Sequence, residues 1–142
     1  MPLEQLMKDH PESITHLVTA LGRCSAGYRL LAEISEAEDD ATAAKNARGS
    51  ARGARVAAMY LLGQEHVLTN REPAAYGEFA PYVDALVDAG SYELKGMLEE
   101  QNYAAIREEL TRCQSLAEIQ TTLVRIMSDE LAAARREGAD RG

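Results

Sequence analysis

Large aromatic side chains and metal-binding residue types are scarce in this chain. Its 142 residues include no tryptophan, one phenylalanine, three histidines and two cysteines. No Glu lies three residues before His10, His16 or His66, so the Glu-x-x-His pairs that build a di-iron carboxylate site in a helical bundle are missing. We therefore expect no metal or other cofactor, and keep a metal-binding four-helix bundle of ferritin-like shape as an alternative.

The cysteines and the apolar runs also indicate where in the cell the protein is located. Cys24 and Cys113 form no CxxC pair and no disulfide framework, which predicts two reduced thiols. The first residues, MPLEQLMKDHPES, lack the apolar segment of a signal peptide. The longest apolar run, from Val56 to Gly63, is far shorter than the roughly 18 to 20 residues of a membrane helix. These observations predict a cytoplasmic protein without membrane contact.

Motifs of enzymatic chemistry are missing as well. The chain contains no GxSxG, no P-loop and no GxGxxG. A nucleophilic site needs a base and an orienting group beside the nucleophile, and no such set stands out. The carboxylate pairs Glu99 with Glu100 and Glu108 with Glu109 are adjacent in sequence and do not share a helix face, so they are interpreted as solvated charges. We name no catalytic residue and expect a binding protein rather than an enzyme.

Helix-forming residues dominate what is present. Ala, Leu, Glu, Gln and Arg are abundant, and no run alternates β-branched or aromatic residues with polar ones. An apolar content of 46% over this length is enough for one compact core. The sequence therefore predicts a single all-α domain over residues 1–142, with 139–142 as a frayed tail.

Two long segments predict an antiparallel helical hairpin at the base of the bundle. The first runs over about 11–37, where apolar and small residues recur at steps of three and four: Ile14, Leu17, Leu21, Cys24, Tyr28, Leu31 and Ser35. The second runs over about 42–68, with Asp40 or Thr42 as its cap. Its small-residue face contains Ala44, Ala47, Ala51, Ala54, Ala58 and Leu61. Because Gly49 and Gly53 weaken a helix, a flexible linker over 46–53 is the alternative.

Helix signals in the second half of the chain predict several shorter helices. Gly90 is expected to end a helix that begins at Pro81. Ser115 with Glu118 matches the capping-box pattern, which predicts that a separate long C-terminal helix occupies about 116–137.

Charge is distributed unevenly along the chain. The formal net charge is −8, which argues against general binding to nucleic acid or anionic membranes and favours a basic partner. Yet Lys45, Arg48, Arg52 and Arg55 form one basic stripe, at steps of three, four and three, without an intervening acid. We interpret this stripe mainly as an internal match for acids such as Glu36 on the preceding helix. Contact with a second copy of the chain, or with nucleic acid or another phosphate ligand, is the alternative.

The predicted function is the binding of another macromolecule, as an adaptor or an inhibitor. Tyrosine is enriched at protein interfaces, and the chain has six tyrosines. Acidic helices can occupy a basic surface, for example that of a nucleic-acid-handling complex. The candidate partner-binding residues are Lys45, Arg48, Arg52, Arg55, Tyr76, Tyr82, Tyr92, Glu99, Glu100, Glu108 and Glu109. A homo-oligomer is a second expectation, and direct nucleic-acid binding through the basic stripe is less favoured.

Overall fold

A computed structural model describes residues 14–70 and 76–141, and these residues form an all-α bundle without a strand. The helices are α1 (Ile14–Ala37), α2 (Ala41–Asn70), α3 (Ala80–Glu99) and α4 (Tyr103–Arg141), and a 3₁₀ turn at Tyr76–Phe79 leads into α3. The predicted fold class is confirmed, including the long hairpin and the long C-terminal helix. Some predictions lie outside the described residues. They are the helix start at residue 11, the interruption around Pro73, and the expectations for His10 and for residue 142.

The turn between α1 and α2 follows directly from local sequence. Asp39 adopts a left-handed φ of 58°, and the amide of Asp40 donates to the carbonyl of Ser35 at 2.8 Å, which closes a Schellman motif. The Asp40 carboxylate then accepts a hydrogen bond from the Ala43 amide at 3.0 Å. Asp40 is therefore the N-cap of α2, as its side chain predicts.

Small residues let α1 and α2 approach each other closely. The predicted small-residue face of α2 is buried throughout, with each member at most 4% exposed: Ala44, Ala47, Ala51, Ala54, Ala58 and Leu61. The buried Ser25 hydroxyl of α1 donates to the Ala51 carbonyl at 2.8 Å. Residues 46–53 are helical rather than a linker, and Gly53 allows the Gln120 side chain to lie against the α2 backbone.

Helix α1 is the centre of the bundle, because the two most extensive helix contacts, with α2 and with α3, are both made by α1. A Cβ on Gly22 would lie 2.9 Å from the Leu86 Cβ, and one on Gly90 would lie 3.1 Å from the Ala26 Cβ. These two glycines allow α3 to press against α1. The expectation that Gly90 ends a helix is therefore wrong, since its missing side chain serves helix contact inside one continuous α3.

Helix α4 is likewise continuous through the position where a separate final helix was expected to begin. The Ser115 hydroxyl donates to the Arg112 carbonyl at 2.6 Å, so it bonds back within the helix rather than capping a new one. The helix has 39 residues, or about 58 Å at 1.5 Å per residue, against 24 residues and about 36 Å for α1. It continues past Gly138, where it was expected to end. None of the described helices combines the length and apolar character that a membrane crossing requires.

Candidate binding surfaces and the cysteine groove

A disulfide bond joins Cys24 of α1 to Cys113 of α4, so the prediction of two reduced thiols is wrong. The two Cα atoms lie 5.4 Å apart, within the range of about 4.4–6.8 Å that a disulfide spans. Both residues are buried beside Ala54 and Tyr28. Their separation of 89 residues hides the pairing in the sequence, and a loop of that size gives a cross-link worth about 4–5 kcal/mol in the chain-entropy model.

An ionic cluster borders the disulfide and connects three helices. Arg23 of α1 donates from Nη2 to Glu109 Oε1 of α4 at 2.8 Å and forms an ion pair of the same length with Glu93 of α3. Arg112 Nη1 lies 3.3 Å from the same Glu109 oxygen. Glu109 is only 9% exposed, so its interpretation as a solvated charge is wrong. The hydrogen bond from Arg23 to Glu109 is the main reason that the pKa of Arg23 is raised.

An open groove of about 800 Å³ lies between α1 and α4 beside this cluster. We call it the cysteine groove. Its walls include Cys24 and a set of polar side chains: His16, Thr19, Arg23, Glu109 and Arg112. The groove therefore combines a buried sulfur with two guanidinium groups.

The basic stripe is half engaged in internal ion pairs. Arg48 pairs with Glu36 of α1, the internal match that the charge pattern predicts. Arg55 donates from Nε and Nη2 to the two carboxylate oxygens of Asp84 in α3, at 2.7 and 3.2 Å, and this contact lowers the pKa of Asp84. Within residues 14–70 and 76–141, Lys45 and Arg52 are exposed and make no ion pair within 4 Å. Among the described contacts, Lys45 and Arg52 are therefore the stripe cations that have no acidic partner.

Tyr76 belongs to an internal network rather than to an exposed surface. Its hydroxyl accepts a hydrogen bond from Gln64 Nε2 at 2.8 Å, and its ring lies against Gly63 of α2. Tyr60, 2% exposed, donates to Glu130 of α4 at 2.8 Å, and Tyr76 approaches the same carboxylate at 3.5 Å. Burial, followed by the Glu130 contact, raises the pKa of Tyr60. This network holds the 3₁₀ turn between α2 and α4.

Tyr82 and Tyr92, in contrast, point outward from α3. They are 49% and 83% exposed. Most of the residues between and beyond them on this side of the helix are small or acidic, and the exposed Lys95 lies at the edge of this side. We call this surface the α3 outer face: Tyr82, Ala85, Asp88, Ala89, Tyr92, Gly96, Glu99 and Glu100. Spacing along one continuous helix places these residues on one side, but the expected break at Gly90 divided the helix in two, and their exposure depends on how α3 packs.

Glu108 and the histidines complete the predicted set of candidates. Glu108 is exposed and lies 3.6 Å from Arg112, one turn along α4. His66 packs its ring 5.9 Å from that of Phe79 and is hydrogen-bonded to Asn70 at 2.9 Å. Across the described ranges, no three His, Cys, Asp or Glu side chains come close enough together to hold a metal ion. This part of the chain therefore gives the metal-binding alternative no support.

Comparison with known proteins adds no functional information: no family model, curated protein or solved structure matches this chain. The geometry of the protein's own surfaces is therefore the guide to its function.

Proposed function

We propose that the protein acts by binding a basic protein partner through the α3 outer face. The observation that carries this proposal is the position of Tyr92, which is 83% exposed at the middle of the face. Covering an exposed tyrosine ring with a partner lowers the free energy of the complex, and tyrosine is among the residues that contribute most to interface affinity.

The shape of the α3 outer face supports contact with an extended or helical element. Ala85, Ala89 and Gly96 leave the surface around Tyr92 low, so a partner backbone can approach closely. Tyr82 lies near the start of the helix and provides a second aromatic anchor, 49% exposed. Two tyrosines separated by small residues resemble the anchor-and-pocket arrangement of interface hot spots.

The charge of the α3 outer face favours a basic partner. Asp88, Glu99 and Glu100 are exposed and form no ion pair within the described residues. Glu99 and Glu100 also lie at the C-terminal end of α3, where the helix dipole disfavours negative charge by about 0.3–1 kcal/mol each. Lys or Arg side chains on a partner would relieve that repulsion, and the pairing would accelerate association at low salt.

In its concrete form, the proposal is an adaptor or an inhibitor that occupies a basic surface of its target. A nucleic-acid-handling complex is one such target, because the acids of the α3 outer face would compete there with phosphate groups. A second copy of this chain is the alternative occupant. Direct nucleic-acid binding through the basic stripe would have to rely on Lys45 and Arg52, since Arg48 and Arg55 are already paired within the chain.

The first experiment isolates the native protein from its own cells and measures the mass and composition of the complex by light scattering and mass spectrometry. A heteromeric complex with a basic protein supports the proposal. A homo-oligomer or a bare monomer contradicts it.

Variants then test the face itself in a binding assay with the isolated partner. Tyr92→Ala is expected to weaken binding at least tenfold, the size of a modest hot spot. Removing three charges with Asp88→Asn, Glu99→Gln and Glu100→Gln should slow association and reduce its salt dependence. The matched control removes three exposed charges from α4 instead: Glu118→Gln, Asp129→Asn and Glu137→Gln. Equal effects of the two triple variants would reject the α3 outer face as the binding site.

The cytoplasmic location predicted from the sequence enters this proposal with one condition. Cytosolic proteins normally keep their cysteines reduced, so a cytoplasmic location requires the Cys24–Cys113 bond to be reversible. Rapid alkylation of free thiols in intact cells, followed by mass spectrometry, measures the reduced fraction. A fully oxidised protein would instead place it in an oxidising compartment.

A further inference from the structure

We propose that the cysteine groove is a thiol–disulfide exchange site, in which a small thiol carrying carboxylates, of the glutathione class, reacts with Cys24. The site shares no residue with the α3 outer face and requires no protein partner.

The two cysteines of the disulfide differ in their position relative to the groove. Both are largely buried, Cys24 at 3% and Cys113 at 2% exposed, but of the two only Cys24 lines the groove in the described part of the chain. A thiolate that enters the groove therefore approaches the disulfide from the Cys24 side. In-line attack at the Cys24 sulfur makes the Cys113 sulfur the leaving group.

Two arginines of the groove wall are the groups that would bind the carboxylates of an anionic thiol. Arg23 and Arg112 immediately precede Cys24 and Cys113 in the sequence, and both line the groove. Both ion pairs of Arg23 use Nη2, so among the described contacts its other N–H donors remain open to a ligand. Arg112 is 61% exposed. Guanidinium groups bind carboxylates bidentately, and positive charge near a sulfur favours its thiolate form.

Glu109 fixes these guanidiniums in place rather than competing for them freely. Its carboxylate is buried and contacts both Arg23 and Arg112 through Oε1. Glu93 and Glu108 contact the same two arginines from more exposed positions. The groove is therefore preorganised, with three carboxylates around two cations, and a carboxylate of the thiol binds the arginines in competition with the more exposed Glu93 and Glu108.

The exchange balances as two successive displacements. The incoming thiolate forms a bond to Cys24 Sγ, the Cys24–Cys113 bond breaks, and Cys113 leaves as a thiolate that takes up a proton. A second thiolate then attacks the sulfur of the first, which releases the small-molecule disulfide and leaves Cys24 as a thiol. Two thiols lose two electrons in total, and the protein disulfide gains them.

The test uses the unmodified full chain and two reductants, reduced glutathione and the neutral thiol 2-mercaptoethanol. Rate constants for loss of the Cys24–Cys113 bond are divided by the thiolate concentration of each reagent. We expect glutathione to react about tenfold faster or more at low salt, and the advantage to shrink as salt screens the arginines. Equal normalised rates would overturn the proposal.

The site of attack is read directly from the wild-type reaction. Acid quenching after brief exposure to glutathione traps the mixed disulfide, and peptide mapping locates it. We expect glutathione on Cys24. Glutathione mainly on Cys113 would overturn the proposal.

Two further measurements separate a groove reaction from reaction of the unfolded chain. The rate should stay constant at low urea concentrations, because the groove is open in the native state, whereas a reaction through global unfolding accelerates steeply with urea. Arg112→Gln should reduce the advantage of glutathione over 2-mercaptoethanol. Arg107→Gln, which removes the same charge from another exposed position of α4, should not. An unfolding-like urea dependence or equal effects of the two variants would contradict the groove reaction.

Discussion

The helix pairs α1–α2 and α3–α4 are joined by the same kind of turn, but only the first pair packs closely together. At the α1–α2 turn the Asp40 amide donates to Ser35, and at the α3–α4 turn the Asn102 amide donates to Met97, both at 2.8 Å. Asp39 and Gln101 adopt left-handed φ values of 58° and 57°. Yet α1 and α2 pack along their lengths, whereas α3 and α4 barely touch, because α3 packs against α1 instead.

The difference lies in the side chains that follow each turn. Helix α2 offers α1 a continuous row of alanines, and only small residues allow so close and so long a contact. Helix α3 directs its buried residues Val83, Val87, Gly90 and Leu94 toward the centre of the bundle, where α1 lies. A Schellman turn therefore reverses the chain, and the faces of the helices decide which neighbours stay in contact.

The largest effect should come from breaking the close contact between α1 and α2. Ala58 is fully buried on the small-residue face, so Ala58→Leu forces extra volume into a packed seam and is expected to cost about 1–3 kcal/mol or more. Ala85→Leu makes the same change on the exposed side of α3 and should stay within about 0.5 kcal/mol of wild type. Urea unfolding of both variants measures the contrast. Similar losses of stability in both variants would show that the close contact between α1 and α2 does not depend on small residues.

A smaller effect should come from the glycines of α2. Gly63→Ala places a methyl group against the Tyr76 ring and disturbs its bonds to Gln64 and Glu130, so a loss of about 1–2 kcal/mol is expected. A Cβ on Gly49 would lie in open space, and Gly49→Ala should stabilise the helix by about 0.5–1 kcal/mol. Thermal unfolding distinguishes the two signs. A gain at both positions would show that Tyr76 moves away without cost.

The smallest effect should come from the two turns themselves. Glycine adopts the left-handed region without strain, so Gln101→Gly is expected to stabilise the protein by about 0.5–1 kcal/mol. Asp39→Gly should gain less, because aspartate tolerates this region better than glutamine does. Chemical denaturation of each variant checks the order. A larger gain for Asp39→Gly than for Gln101→Gly would indicate that the Asp39 side chain itself destabilises the α1–α2 turn.

The residues show why the fold could be predicted better than the surfaces. The alanine row and the Asp40 cap are local signals, and both have the roles that their spacing predicts. Gly90 and Ser115 carry equally local signals for helix ends, but packing against Ala26 and back-bonding to Arg112 override them. Local propensity is worth about 1 kcal/mol or less per residue, so a continuous buried face outweighs it.

The candidate sites could be predicted less well than the fold, because the exposure of their side chains depends on tertiary contacts. Glu109 and Tyr76 were expected to be available to a partner, but each is held inside by residues distant in the sequence: Arg23 for Glu109, and Gln64 and Glu130 for Tyr76. Tyr92 and Glu99 remain on an exposed face of α3, where partner binding stays a prediction. No spacing rule tells a buried glutamate from a solvated one when its partner is a distant arginine.

The sequence by itself determined the helical class, the long hairpin and the capping at Asp40, because these follow from periodicity and short-range hydrogen bonds. Only the tertiary structure decided the Cys24–Cys113 bond, the burial of Glu109 and the exposure of the α3 outer face. The physical reason is distance along the chain. Pairings such as Cys24 with Cys113, separated by 89 positions, depend on how whole helices pack, and helix packing is set by the summed contacts of many side chains.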